Sequence, residues 1–215
     1  MTAETRSEIW RGVWNDRDPG LVRMNGFESC FSSEAEYRAF VAQQARFIAD
    51  TLRLDTRDRV ADLGCGTGLI SSILAPQVRS IAAFDFSHDA LAVAREEHAA
   101  PNVTYRWADL GALDLDELQV DKAYSMAAIY YLDDYSTALR LVRGLLERGI
   151  EVLVSDVPDA RLRHAVTRDY DTDRFSHLYF DEDQLRADLP GVAIHRGVFP
   201  TYPNDRFRFS FHIAP

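Results

Sequence analysis

Lysine is nearly missing from this chain. Lys122 is the only one in 215 residues, and every other cation is an arginine. Schiff-base chemistry and lysine-dependent phosphate loops therefore have almost nothing to work with. Two cysteines, Cys30 and Cys65, are too few for a disulfide framework or a multi-cysteine zinc site. No stretch approaches the ~18 consecutive apolar residues of a membrane span, and MTAETRSEIW lacks the apolar core of a secretory signal. The expectation is a cytoplasmic protein with no membrane partner. Positive charge is also short: 24 Lys and Arg stand against 34 Asp and Glu, a net charge of −10. Phosphate backbones reward clustered positive charge, so no nucleic-acid partner is expected. Internal repeats, low-complexity tracts and Pro/Ser-rich linkers are absent.

What is present suits a folded protein. Apolar residues make up 47% and charged residues 27%, enough for a sizeable core. At ~100–200 residues per domain, the length points to one domain over 1–215.

The first 32 residues read as irregular but aromatic, with Trp10, Trp14, Phe27 and Phe31. They form either a lid over a site or filling at the edge of the core. Ser33 with Glu36 predicts a capping box opening a helix, and Tyr37, Phe40, Val41, Gln44, Phe47, Ile48 and Leu52 follow at helical spacing. A strand at Arg59–Leu63 runs into Gly64-Cys-Gly-Thr-Gly68. A helix from Leu69 is stopped by Pro76, which lacks a backbone donor. Further strands are read at Ser80–Phe84, Asn102–Trp107, Asp121–Met126 and Gly149–Ser155, with helices from Ser87 to about His98 and after Leu132 through Leu146. Strand and helix in alternation mean βαβ units and a mostly parallel sheet. Val192–Phe199 and Arg206–Ile213 read instead as an antiparallel hairpin around a Pro/Asn/Asp turn.

The glycine spacing decides what the first loop binds. A nicotinamide-type fingerprint needs a glycine at the sixth position, where Leu69 stands. What occurs is Asp62-Leu-Gly64-Cys-Gly66-Thr-Gly68, an acid two residues before a G-x-G-x-G turn. The glycines let backbone approach a ligand, and the acid suits a cationic group better than a pyrophosphate. Asp85, ending the second strand, can accept both hydroxyls of a ribose; Asp109, ending the third, can accept from an exocyclic amine. All three acids fall at the carboxyl ends of consecutive strands, where open α/β sheets bind ligands. A cationic amino acid, a ribose and an aromatic amine together describe S-adenosyl-L-methionine.

These residues resemble the motifs of class I S-adenosylmethionine-dependent methyltransferases. Asp62–Gly68 is similar to their first motif, and Ala83-Phe-Asp85-Phe86-Ser87 to their ribose-binding acid. Ala108-Asp109-Leu110 is similar to the adenine-contacting segment, and Tyr124–Leu132 to the fourth-strand motif. The resemblance covers roughly residues 35–157. It implies a Rossmann-like, mostly parallel seven-stranded α/β sheet with an antiparallel last strand and helices on both faces. It also implies that Gly64 and Gly66 lie under the methionine moiety, that Asp62 orients that region and that the Ser125 backbone faces it. Cys65 is a spacer within the loop. Two departures stand out. Tyr130 and Tyr131 occupy the place where many members carry a histidine, and the segment at Val157-Pro158-Asp159 lacks the Asn/Asp-Pro-Pro-Tyr/Phe motif of base- and amide-methylating enzymes.

The implied activity is methyl transfer to an oxygen or nitrogen of a small-molecule acceptor by in-line displacement. The alternative is a protein of the same fold that binds the cofactor without methylating, as a regulatory subunit or a cyclase-type enzyme. Three candidates stand for the catalytic side. Histidine as a residue type titrates near neutrality, so His177 serves either as general base or as a pocket-wall or surface histidine. Tyr130 and Tyr131 either orient the acceptor or pack as aromatics. No histidines have metal-ligand spacing with a third partner, so no metal is expected. Residues 1–32 and 157–190 remain to shape the acceptor side.

Overall fold

The computed structural model describes residues 5–15, 30–165 and 177–215. Seven strands form one sheet: β1 (Arg59–Leu63), β2 (Ser80–Asp85), β3 (Val103–Trp107), β4 (Lys122–Met126), β5 (Glu151–Pro158), β6 (Ala193–His195) and β7 (Arg208–Ile213). Their order is β3-β2-β1-β4-β5-β7-β6. The first five are parallel, and β7 is antiparallel to both β5 and β6. This is the mostly parallel sheet with an antiparallel last strand that the sequence implied. The terminal hairpin exists but is shorter than expected, because β6 holds only three residues opposite β7.

Alternation along each strand sends side chains to opposite faces. Ala61, Leu63, Ala123, Val152 and Val154 join one buried cluster with Leu141, Val142 and Leu145 of α5 (Tyr135–Leu146). Val60, Ile81, Ala83, Tyr124 and Leu153 join another with Phe40, Ile48 and Leu52 of α2 (Glu34–Leu52), Leu74 of α3 (Leu69–Leu74) and Leu91 of α4 (His88–Glu97). Helices therefore cover both faces, and burying each such aliphatic side chain is worth about 1.5–3 kcal/mol. Along β7, Arg208 and Ser210 are buried together with Phe209 and Phe211, because this strand is interior, flanked by β5 and β6.

The caps follow the sequence. Ser33 accepts from Glu36 N at the start of α2, and Ser87 accepts from Ala90 N at the start of α4. The return bond of the first box comes from Ser32, whose N and Oγ both donate to Glu36. One expectation is corrected: residues Arg6–Asn15, read as irregular, form the helix α1. His98 bonds the Thr67 carbonyl through Nδ1 at 2.7 Å. A short helix α6 (Glu182–Asp188) precedes β6. Phe27 lies outside the described residues. No helix among the described residues is long and apolar enough to cross a membrane.

Candidate functional site

The loop after β1 is built by three glycines with positive φ: Gly64 at 94°, Gly66 at 52° and Gly68 at 76°. Side chains other than glycine rarely tolerate such values. The Gly64 and Cys65 N–H groups both donate to the Phe84 carbonyl, at 2.8 and 2.9 Å, which ties the loop to β2. Gly66 N then donates to Asp85 Oδ2 at 2.8 Å, and Ser87 N donates to Asp85 Oδ1 at 2.8 Å. One carboxylate thus fixes the two loops that follow β1 and β2. Burial raises the Asp85 carboxyl above its ordinary value, opposed by the amide donors of Ser87, Gly66 and Phe86.

Beneath the loop, Asp62 is only 2% exposed. It pairs in register with Tyr124 across β1 and β4. Its Oδ2 accepts from Ser71 Oγ at 2.6 Å and from Tyr124 OH at 2.7 Å. Desolvation outweighs both donors and pushes the carboxyl up to about 7. An unfolded aspartate titrates near 4, so between about pH 4 and 7 the folded chain holds a proton that the unfolded chain has released. Stability is therefore expected to fall as pH rises through that window and to level off above it. Asp62→Asn, which keeps an acceptor for both hydroxyls, should flatten this decline, leaving the part due to Asp85. Thermal melts from pH 4 to 8 check this, and equal slopes in variant and wild type would contradict it.

The strand ends converge on a cavity of about 820 Å³, its open mouth included. Asp62, Gly64, Cys65, Gly66, Asp85, Phe86, Leu110 and Tyr131 all face it. Burial raises the Cys65 thiol well above its usual value, which suits a spacer and not a nucleophile. Several expected residues are placed elsewhere. Gly68 lies against Tyr105: a Cβ there would stand 2.5 Å from the phenol oxygen, so this glycine serves packing at the start of α3. From β4, the residues facing the cavity are Met126, Ala127 and Ala128, while Ser125 is buried one position deeper, within the β4–β5 ladder. Ala108 and Asp109 line a neighbouring hollow with Arg11, Arg106 and Trp107. The cause is local. Asp109 Oδ1 caps the turn at Leu110–Ala112 by accepting from Gly111 N, which turns Oδ2 toward Arg11 at 2.6 Å.

The catalytic candidates form an aromatic cluster. His177 is buried and stacks on Trp10, with ring centroids 4.8 Å apart and planes at 14°. Tyr130 and Tyr131 meet it edge-on at 4.9 and 5.4 Å. The surface-histidine reading is thereby corrected: Trp10 and the two tyrosines enclose the ring. Of these three candidates, Tyr131 is the one that faces the cavity. Tyr130 lies behind it, 5.0 Å under the buried Arg208 guanidinium, and burial raises its phenol above the ordinary value. Arg208 donates to the Asp156 carbonyl at 2.7 Å and pairs with its Oδ2 at 3.4 Å. Asp156 has φ of 60° and sits where the β5–β7 register shifts between Val154 and Val157.

The sequence reading left out Gln44, Met126, Ala127 and Ala128, and left Trp14 open. Gln44 stood on what looked like a plain core-facing helical stripe, although a polar amide there was a signal. Ala127, with φ of 54°, carried none.

α1 crosses the strand ends above the cavity. Arg6 Nη1 donates to the Asp133 carbonyl at 2.7 Å, and Ser7 N to Asp133 Oδ1 at 2.8 Å. Arg11 pairs with Asp109, and Trp14 faces the cavity beside Tyr131.

This sheet order, with its glycine loop and strand-end acid, is the architecture of the class I S-adenosylmethionine-dependent methyltransferases, and the matches to known proteins support that class for the chain. Within it, residues 60–149 match the family described as a methyltransferase domain. The chain is 28% identical over 159 residues to a malonyl-acyl-carrier-protein O-methyltransferase of Erwinia pyrifoliae, covering 72% of this chain and 60% of that one. It thus spans less than two thirds of the length of that relative. In fold it is similar to phosphoethanolamine N-methyltransferase 1 of Haemonchus contortus, with TM-score 0.70, 19% identity and coverage of 100% of this chain and 50% of the other. It is also similar to the cyclase SpnF, with TM-score 0.65, 18% identity and coverage of 94% and 79%.

The cofactor of the class is S-adenosyl-L-methionine, and the cavity fits it. It offers a strand-end carboxylate for a diol, apolar flanks at Phe86, Ala90 and Leu110 for a base, and a glycine-walled end with a buried unmatched amide on Gln44.

Proposed function

We propose that this protein transfers the methyl group of S-adenosyl-L-methionine to an oxygen or nitrogen of a small-molecule acceptor. The observation that supports this reading best is the cavity in which the G-x-G-x-G loop and Asp85 meet the lid helix α1 and Tyr131. Asp85 holds the ribose hydroxyls, Gly64 and Gly66 lie under the methionine moiety, Phe86 and Leu110 flank the adenine, and Asp62 supports the loop from beneath. The sulfonium supplies an activated methyl with its own leaving group. The chain's task is then to align the nucleophile and to exclude water.

Residues 1–32 act as a lid and 157–190 as the acceptor side of a single domain. Tyr131 orients the acceptor. His177, enclosed by Trp10 and the tyrosines, holds that wall in place. The net charge of −10 favours a small acceptor over a nucleic acid. The similarity to a malonyl-acyl-carrier-protein O-methyltransferase and to a phosphoethanolamine N-methyltransferase is the reason to screen carboxylic oxygens and primary amines first.

The test incubates the protein with methyl-labelled cofactor and an acceptor panel, following S-adenosylhomocysteine and labelled product together. Product formation stoichiometric with S-adenosylhomocysteine supports the proposal. The buried position of His177 also suits a second reading, a cofactor-binding protein that does not methylate. Tight S-adenosylhomocysteine binding with no turnover across the panel would favour that reading. The lid has its own check. Trp14→Ala should speed S-adenosylhomocysteine release severalfold in stopped-flow fluorescence with little change in association, since losses at a formed contact fall mostly on dissociation. An unchanged release rate would remove α1 from the site.

A further inference from the structure

Tyr37, Val41 and Gln44 face the cavity from one side of α2, at positions i, i+4 and i+7. Gln44 is the polar member of this row. It is 2% exposed, and its Nε2 is buried with no hydrogen-bond partner. A buried donor left unmatched costs about 1–3 kcal/mol. A leucine of similar size would serve an empty cavity better, so the amide is placed for something that enters it.

Its position in the fold says which part of the cofactor that is. The cavity runs across the carboxyl ends of the strands in the order β3, β2, β1, β4. Asp85, Phe86, Ala90 and Leu110 close the β2–β3 side, which takes the ribose and the base. α2 packs on α3 and β5, so Gln44 closes the opposite side, with the glycine loop and Met126–Ala128. A cofactor whose ribose sits at Asp85 extends its amino-acid end toward this wall. The end is a zwitterion, and its carboxylate needs donors. Lys122, the single lysine, lies at the start of β4 and pairs with Asp58, away from this wall.

We propose that Gln44 anchors the cofactor's amino-acid end, its amide N–H groups donating to the α-carboxylate. Gln44 is then the residue that distinguishes cofactors carrying that end from adenosyl thioethers that lack it. The proposal rests on the cofactor reading above.

The test compares wild type with Gln44→Leu, Gln44→Met and Gln44→Glu by calorimetric titration of two probes. One is S-adenosylhomocysteine. The other is 5′-methylthioadenosine, which shares the adenosine and thioether but has no amino-acid end. Gln44→Leu and Gln44→Met should each weaken S-adenosylhomocysteine about tenfold, the loss expected for a hydrogen bond to a charged group. Both should leave 5′-methylthioadenosine unchanged. Gln44→Glu should weaken S-adenosylhomocysteine further, because two carboxylates then face each other. Without ligand, Gln44→Leu should melt at or above the wild-type temperature, since hydrocarbon replaces an unmatched amide.

Equal losses for both probes, or no loss for either, would overturn the assignment. So would full affinity in Gln44→Glu, which would give the contact to the ammonium group. A lower melting temperature in both apolar variants would make Gln44 a structural residue. Wild type that binds neither probe would overturn the cofactor reading itself, and this assignment with it.

Discussion

Asp85→Ala should lower affinity for S-adenosylhomocysteine by about a hundredfold or more. Each charge-assisted hydrogen bond from a ribose hydroxyl is worth about 1.5–3 kcal/mol, and every 1.4 kcal/mol is tenfold in affinity. Two such bonds account for the expected loss. The same carboxylate also holds Gly66 N and Ser87 N, so its removal loosens the glycine loop as well. The two contributions separate with a cofactor-product analogue whose ribose lacks both hydroxyls. If Asp85 acts on the ribose, wild type and variant bind that analogue alike, and the full difference appears only with the natural product. If Asp85 acts only through the loop, the analogue suffers the same loss from the substitution. Titration of both ligands on both proteins gives the answer.

The sheet was readable because its signals are local. β1 was read with the bounds it has, and β2 one residue short of Asp85, since each is a short apolar run closed by glycine or acid. The ends of β5 and β6 were not. β5 continues through Asp156 and Pro158 because β7 pairs with it across a register shift, and no local pattern announces a partner that lies 50 residues on. α1 was missed for a related reason. RSEIWRGVWN is polar on average, and its helix is held by Asp133 and Asp109, more than 90 residues away in sequence.

The site divides in the same way. Residues whose role follows from backbone geometry, such as Gly64 and Gly66, were visible from spacing alone. Ser125 and the Ala108-Asp109 pair were placed by motif position, where one residue of displacement along a strand or turn changes the direction a group faces. That displacement makes Met126–Ala128 and Leu110, rather than Ser125 and Asp109, the residues at the cavity. Asp109 shows what a sequence hides: its acid is legible, whereas its capture by Arg11 of α1 depends on a helix that no nearby residue signals.

The crossing of the first and fourth strand ends yields the other large effect. A Cβ built on Gly64 would stand 2.1 Å from the Ala128 Cβ, and φ there is +94°. Gly64→Ala therefore meets two separate penalties, a clash between two backbone-fixed atoms and a backbone conformation closed to other residues. Neither can be relieved by rotating a side chain, so the loop must move away from β4. Overpacking of this kind costs about 1–3 kcal/mol, and the left-handed backbone about as much again. The variant should melt well below wild type and lose S-adenosylhomocysteine binding altogether, because Gly64 and Ala128 both form the cavity wall.

Ala128→Gly divides the two penalties. With that methyl gone, the nearest atom to the new Cβ becomes the Cα of residue 128 at 3.6 Å, ordinary contact. The double variant should therefore regain the clash part of the lost stability while keeping the backbone part. A double-mutant cycle on melting free energies should show a coupling of about 1–3 kcal/mol, favourable only when the two changes are combined. Additive effects would mean that the loops already stand apart in solution, and that the close approach of β1 to β4 is not what shapes the cofactor floor.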